Sequence, residues 1–330
     1  ESYIEVGPEI GQYVWDDLNE DGVQQVDEFF QEVSSNEGTF IRQFLPSDVL
    51  LPAVDLNARF LNTLRPFSFV DEEAWYRGIR LRSRIDLLEN STTTDIEDVY
   101  LLKLNTFRND STTIQGRLFW EQELDVFRGW NDLDLKLGMA ENRGVNRRSS
   151  ESIQNFTQKM YINTGYNLTD RIRLKLDLQQ SQNRSESSRL MNRNYDIHAR
   201  SFEPGINGTI SRNWNAGIDI SYAQKEDRAP AEVTKASLLK VSTTQRLYLW
   251  RKVQTNLRLE FRNTVIEGSS STYGNYELSE GTGEGKNLLW SLRSSYRLSN
   301  LIRFSLDYDG RTAQDRPAIH TIKLVMSATL

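Results

Sequence analysis

The sequence predicts an all-β fold, an antiparallel transmembrane β-barrel of about thirteen or fourteen strands that closes alone or forms part of a larger barrel. Three observations carry that expectation: apolar and polar residues alternate with period two, tight turns alternate with longer polar loops, and tryptophans gather beside the tight turns. Composition is compatible with it. The 330 residues are 38% hydrophobic and 26% charged, with a net charge of -6, a pI near 5.3 and a mean hydropathy of -0.59. A strand that shows lipid on one side and lumen on the other keeps this average low while crossing the membrane. No apolar run reaches the roughly 20 residues of a membrane helix, and "ESYIEVGPEI" has neither the basic nor the apolar region of a signal peptide. The absence of cysteine excludes disulfides and thiolate metal sites. The acidic balance, with no motif beside it, argues against nucleic acid as a partner.

The first element, residues 1–50, reads as a calcium-loop segment. In "WDDLNEDGVQQVDEF", Asp17 at position one is followed by Asn19 at three, Asp21 at five, Gly22 at six, Val23 at seven and Glu28 at twelve. A hard cation needs six to eight oxygens, here from the Asp17, Asn19, Asp21 and Glu28 side chains and the Val23 carbonyl, and Gly22 allows the bend. Gln24 replaces the aliphatic residue usual at position eight, and no helical periodicity precedes the loop, so a paired EF-hand is not expected. An acidic turn chosen for backbone geometry alone is the competing reading.

Residues 51–330 read as the barrel. In "DRIRLKLDLQQ", Ile172, Leu174, Leu176 and Leu178 share one face, while Arg171, Arg173, Lys175 and Asp177 share the other. "RGIRLRSRIDLL" and "NLRLEFRN" repeat the pattern, as do "NDLDLKLGM" and "LIRFSLDYDG". Strands are expected near 53–66, 75–90, 113–128, 131–143, 151–168, 170–185, 194–211, 213–226, 232–250, 252–267, 284–298, 301–311 and 317–330. "DIEDVYLLKLNTFRND" is either a loop or one further strand, and the choice decides on which side residues 1–50 fall.

Short connections such as "NLTDR" and "SRNWN" alternate with long ones such as "ENRGVNRRSSES" and "EGSSSTYGNYELSEGTGEGK". Outer-membrane barrels have this asymmetry, with the long loops outside the cell. Trp75, Trp130, Trp214 and Trp250 lie beside short turns and would form a periplasmic girdle, since amphipathic rings settle at the headgroup level. With "DIEDVYLLKLNTFRND" as a loop, strand parity puts residues 1–50 outside the cell. The ending "IKLVMSATL" puts Ile322, Leu324, Met326, Ala328 and Leu330 on one face, the form of a final barrel strand, although Leu330 stands where an aromatic residue is usual.

Catalysis has little support in these residues. The two histidines, His198 and His320, have no nucleophile motif beside them, and an outer-membrane hydrolase would need a site assembled from Asp196, His198, Asp307 and His320. Arg80, Arg82, Arg84, Arg171, Arg173, Arg258 and Arg262 would line the lumen, either as rows that favour anionic solutes or, since an unpaired charge at low dielectric is costly, as ion pairs with Asp86, Asp177, Glu260 and Asp307 on the same faces. The expected function is transport or secretion. A non-conducting structural barrel is the alternative, with the hydrolase behind it.

"GQYVWDDLNEDGVQQVDEF", "TFIRQFLPSD", "LLKLNTFRNDSTTIQG" and "YDGRTAQDRPAIHTIKLVMSATL" together resemble the C-terminal part of very large bacterial outer-membrane barrels related to the type IX secretion translocon. The resemblance implies an outer-membrane location, a segment of the form Y-V-W-x-D-x-N-x-D-G ahead of the last strands, and a pore that passes folded proteins. Implied partners are outer-membrane lipid, the barrel assembly machinery, secreted cargo and further subunits.

Overall fold

The computed structural model describes all residues except 1, 8–9, 19–20, 26–27, 32–37, 44–52, 71–73, 93–96, 98–111, 128–131, 149–150, 250–251, 269–271, 300, 315–316 and 329–330. Two compact units emerge, Glu1–Ala53 and Val54–Leu330. The first holds β1 (Ser2–Glu5), β2 (Tyr13–Trp15), β3 (Phe29–Gln31) and β4 (Phe40–Gln43), in the spatial order β1-β4-β2-β3. Its core is aromatic. Tyr3 stacks on Phe29 at 3.9 Å, and Phe29 meets the buried Phe40 edge-on at 5.0 Å.

The second unit is one antiparallel meander of thirteen strands. Its members are β5 (Val54–Leu64), β6 (Arg80–Ser91), β7 (Thr113–Val126), β8 (Leu133–Arg148), β9 (Glu151–Thr169), β10 (Ile172–Ser187) and β11 (Tyr195–Ser211). They continue with β12 (Trp214–Asp227), β13 (Thr234–Leu249), β14 (Val253–Glu267), β15 (Gly285–Arg297), β16 (Ile302–Ala313) and β17 (Ile319–Ala328). Every strand pairs with its sequence neighbour. The edges β5 and β17 each pair with a single strand among the described residues.

Register explains why alternation folds this way. Leu64, Leu81, Leu124, Leu137, Ile162, Leu178, Phe202, Tyr222 and Leu239 stand opposite one another in a single row from β5 to β13. A slip of one residue in any strand would break this row by turning a charge outward. Farther round, Val241, Phe261 and Leu288 continue the apolar face. Many of its members are open to the surroundings, Leu324 on β17 at 71% and Phe202 at 48%, as a lipid-facing surface requires.

Three sequence expectations change. "ENRGVNRRSSES" is not a long loop: β8 runs to Arg148 and β9 begins at Glu151, because ladder hydrogen bonds need no apolar side chains. β6 starts at Arg80 rather than near Trp75, whose stretch Trp75–Gly78 forms a 3-10 turn. Arg171 sits in the turn before β10 instead of on its polar face. "DIEDVYLLKLNTFRND" lies outside the described residues apart from Glu97 and the end of the stretch it leads into. Yet β6 and β7 are antiparallel neighbours, so no strand intervenes between them in the sheet.

Parity then gathers the connections 170–171, 212–213 and 298–299 at one end, where the described girdle members Trp75 and Trp214 also lie. Trp130 and Trp250 are outside the described residues. The opposite end carries residues 188–194, 228–233 and 272–284, the last beginning with helix α1 (Thr272–Leu278). Among the described residues no helix is long and apolar enough to cross a membrane.

Candidate functional site: the charged face of the wall

Alternation that turns leucine and isoleucine outward turns charge to the other face. The expected pairing is present there with partly different partners. Arg80 donates to Asp125 at 2.7 Å, Arg82 faces Glu123 at 3.4 Å, and Lys136 reaches the same Glu123 at 3.1 Å. Asp86 binds Arg59 at 2.8 Å and Arg84 at 2.5 Å. Arg173 pairs with Asp134, and Lys175 faces Asp219 at 3.8 Å. The buried Glu260 accepts from Arg258 at 2.6 Å and from Arg262. Asp177 accepts instead from the Asn163 amide, and Asp307 stands opposite Arg293 and Lys323 by register.

The densest group lies where residues 272–284 rest on this face. Leu278, at the end of α1, is fully buried against Ile197, Ala236, Tyr195 and Ile266. Tyr273 stacks on Tyr195 at 5.9 Å. Just beyond the helix, Glu280 receives Lys225 Nζ at 3.0 Å on Oε1 and Lys240 Nζ at 3.2 Å on Oε2, with Arg262 at 3.7 Å. Burial raises the Glu280 pKa, but the Lys225 and Lys240 ammonium groups outweigh it and hold the carboxyl below the usual glutamate range. In the sequence this stretch reads as one of the long polar connections. Its one legible signal was apolar: Tyr273, Tyr276 and Leu278 in an otherwise polar segment.

The predicted metal loop is the connection of a β-hairpin. Trp15 stands opposite Phe29, and the Asp16 N–H donates to the Glu28 carbonyl at 3.0 Å. Asp17 accepts from the amides of Asp21 at 3.2 Å and Gly22 at 2.8 Å, while Asp21 accepts from Val23 N–H at 2.7 Å. Gly22 takes φ +70, the left-handed bend expected of position six. Glu28 is buried and receives the Trp15 indole N–H at 2.9 Å. Asn19 lies outside the described residues, and among the described ones no three His, Cys, Asp or Glu side chains form a group able to hold a metal. Asp17, Asp21 and Glu28 carry the hard carboxylate oxygens that suit calcium but are not drawn together into one donor set, Glu28 accepting from Trp15 and from the Gln25 N–H instead.

The four residues considered for hydrolysis do not converge. His198 Nε2 lies 3.3 Å from Asp196 on β11, whereas His320 on β17 meets the Tyr308 hydroxyl at 2.9 Å, with β12 to β16 between them. Asp307 lies on the opposite face from His320 by alternation.

No family model and no curated protein matches the chain. Solved structures do. The siderophore receptor PirA from Pseudomonas aeruginosa superposes with a TM-score of 0.52 at 10% identity over 82% of this chain and 41% of its own. The wall is that of a bacterial outer-membrane β-barrel. That fold, with its apolar outer face, places the barrel in the outer membrane. The alcaligin outer membrane receptor FauA from Bordetella pertussis gives 0.48 at 9% identity, over 84% of this chain and 47% of its own. CdiB from Acinetobacter baumannii gives 0.43 at 8%, over 85% and 54%. The barrel chain thus spans about half the length of these structures.

Proposed function

We propose that this chain supplies wall strands of an outer-membrane pore acting in transport or protein secretion, of the translocon-like kind its "YVWDDLNEDG" segment resembles. One observation carries the reading: a wall with an apolar face on one side and ion pairs on the other, whose edge strands β5 and β17 each have one partner among the described residues. Unpaired strand edges are untenable in hydrocarbon, so the edges require each other or further strands. A charged inner face is useful where water and solute pass. Residues 1–50 lie on the cell surface in this reading and are clipped by calcium at Asp17, Asn19, Asp21, Val23 and Glu28. Outer-membrane lipid, the assembly machinery and an exported cargo are its partners.

The test is conductance of the full-length protein, purified from outer membranes and inserted in planar bilayers. Discrete current steps that polyethylene glycols of graded size block up to a cut-off support a pore. Bilayers that stay silent while protease protection shows the protein inserted would establish a non-conducting barrel instead.

A further inference from the structure

Backbone geometry and side-chain chemistry disagree at Glu280. Helix α1 ends in a Schellman motif, in which Gly281 N–H donates to the Tyr276 carbonyl at 2.8 Å and Glu280 N–H to that of Glu277 at 3.2 Å. The motif puts its C′ residue in the left-handed region, where glycine is the usual occupant. Here Glu280 holds φ +53 and glycine comes only at the next position, Gly281 at φ +78. A glutamate kept there against its backbone preference is kept for its carboxylate.

That carboxylate meets three cations from three adjacent strands: Lys225 of β12, Lys240 of β13 and Arg262 of β14. The Lys225 side chain is only 9% exposed. Other charged groups nearby are already engaged. Glu260 bridges Arg262 and Arg258, and Asp227 accepts from the backbone N–H groups of Asp196 and Ala229. Without Glu280 the cations would face one another with too little counter-charge, and a buried ammonium demands an anion.

The segment that brings Glu280 is not perfectly seated. Among the described residues, the buried Thr234 and Thr264 hydroxyls and the Asn275 side-chain oxygen have no hydrogen-bond partner. A cleft of ≈ 880 Å³, lined by Asn275, Tyr276, Glu284, Asn287, Arg311 and Gln314, lies between the segment and the ends of β15 and β16. An unsatisfied polar atom on the segment, at Asn275, and open space beside it leave room for a second position away from the wall.

We infer that Lys225, Lys240 and Arg262 form a binding site for the carboxylate of an anionic solute, and that Glu280 is its built-in occupant. Residues 272–284 cover the site when Glu280 is seated and uncover it when a solute carboxylate takes its place. The inference rests on the proposed function only in taking the charged face as solute-accessible.

The probe is citrate, added to the full-length protein in detergent, with inorganic phosphate as the second arm. In wild type, citrate should raise hydrogen exchange across residues 272–284, since it competes with Glu280. Glu280→Gln should bind citrate at least tenfold tighter than wild type by calorimetry, and adding Lys225→Ala should abolish the gain. Glu280→Gly also lacks the carboxylate yet suits the left-handed backbone, so it reports the same site if the glutamine variant misfolds. Unchanged exchange in wild type, no gain in either variant, or a gain that survives Lys225→Ala would overturn the site. Phosphate binding more tightly than citrate would overturn its carboxylate class. Citrate binding beside a silent bilayer would sink the pore reading alone, and conduction without citrate binding would sink this one alone.

Discussion

At the residue scale, alternation tells which side chains face lipid but not which charges are indispensable. Leu259 is 40% exposed on the apolar face, and Arg in its place puts a charge into hydrocarbon at a cost of about 2–4 kcal/mol near the midplane. Lys175, facing Asp219 at 3.8 Å with both side chains partly exposed, should cost well under 1 kcal/mol when cut to Ala. Glu260 looks equivalent to Lys175 in the sequence, but it is buried between Arg258 and Arg262. Glu260→Ala strands those cations and should cost about 3 kcal/mol, the low end for a broken buried pair because Arg258 is largely exposed. Urea unfolding in detergent or liposomes should rank Leu259→Arg and Glu260→Ala together, far above Lys175→Ala. Leu259→Arg costing no more than Lys175→Ala would mean the inside and outside faces are exchanged. Cross-strand fit was also invisible in the sequence. Trp290 lies over Gly310 on the next strand so closely that a Cβ there would overlap the indole. Gly310→Ala should therefore move Trp290 and shift its fluorescence, whereas unchanged emission would show that the ring has room to yield.

At the element scale, each of the thirteen strand positions expected is a strand among the described residues, because period two in a half-lipid, half-polar wall leaves each strand one workable register. What alternation could not deliver was where polar strands stop. β8 continues through "NRGVNRR" because neighbouring strands offer hydrogen bonds beyond the apolar belt, a fact about pairing rather than composition. The fold of residues 272–284 was hidden for the opposite reason. Its contacts are to strands far away in sequence, with Lys225 lying 55 residues before Glu280. Its pH response follows from the sign of the Glu280 shift. A lowered folded pKa means this carboxylate stabilises the seated segment fully above the unseated value, and that the contribution is lost as pH falls through the folded one. Hydrogen exchange over residues 272–284 should be flat from neutral pH to about pH 5 and should rise below the ordinary glutamate range, after correction for the intrinsic rate. A rise between pH 6 and pH 8 would assign the control to another group.

At the scale of the whole molecule, two units are held by different forces, and that difference was partly legible. The acidic loop stood out because its spacing departs from everything around it, while the strands flanking it, too short for periodicity to show, did not. The Val54–Leu330 sheet depends on interstrand hydrogen bonds and apolar contact with lipid, neither of which involves a metal. The Glu1–Ala53 unit has four short strands and an aromatic cluster around Phe40, a small core for its length. If calcium bridges Asp17, Asn19, Asp21 and Glu28 with the Val23 carbonyl, its removal leaves carboxylates crowded at one turn and frees the hairpin that Trp15 and Phe29 close. Chelation should then expose residues 1–30 to protease while the barrel strands keep their protection. Asp21→Ala should reproduce the effect, since Asp21 both offers a ligand and fixes the turn through the Val23 N–H and the Gln25 amide. Restoring calcium separates those two roles: it should rescue the chelated wild type and leave the variant cleaved. Equal cleavage of the wild type with and without chelator would mean that the loop is an acidic turn held by Asp17 and Asp21 alone.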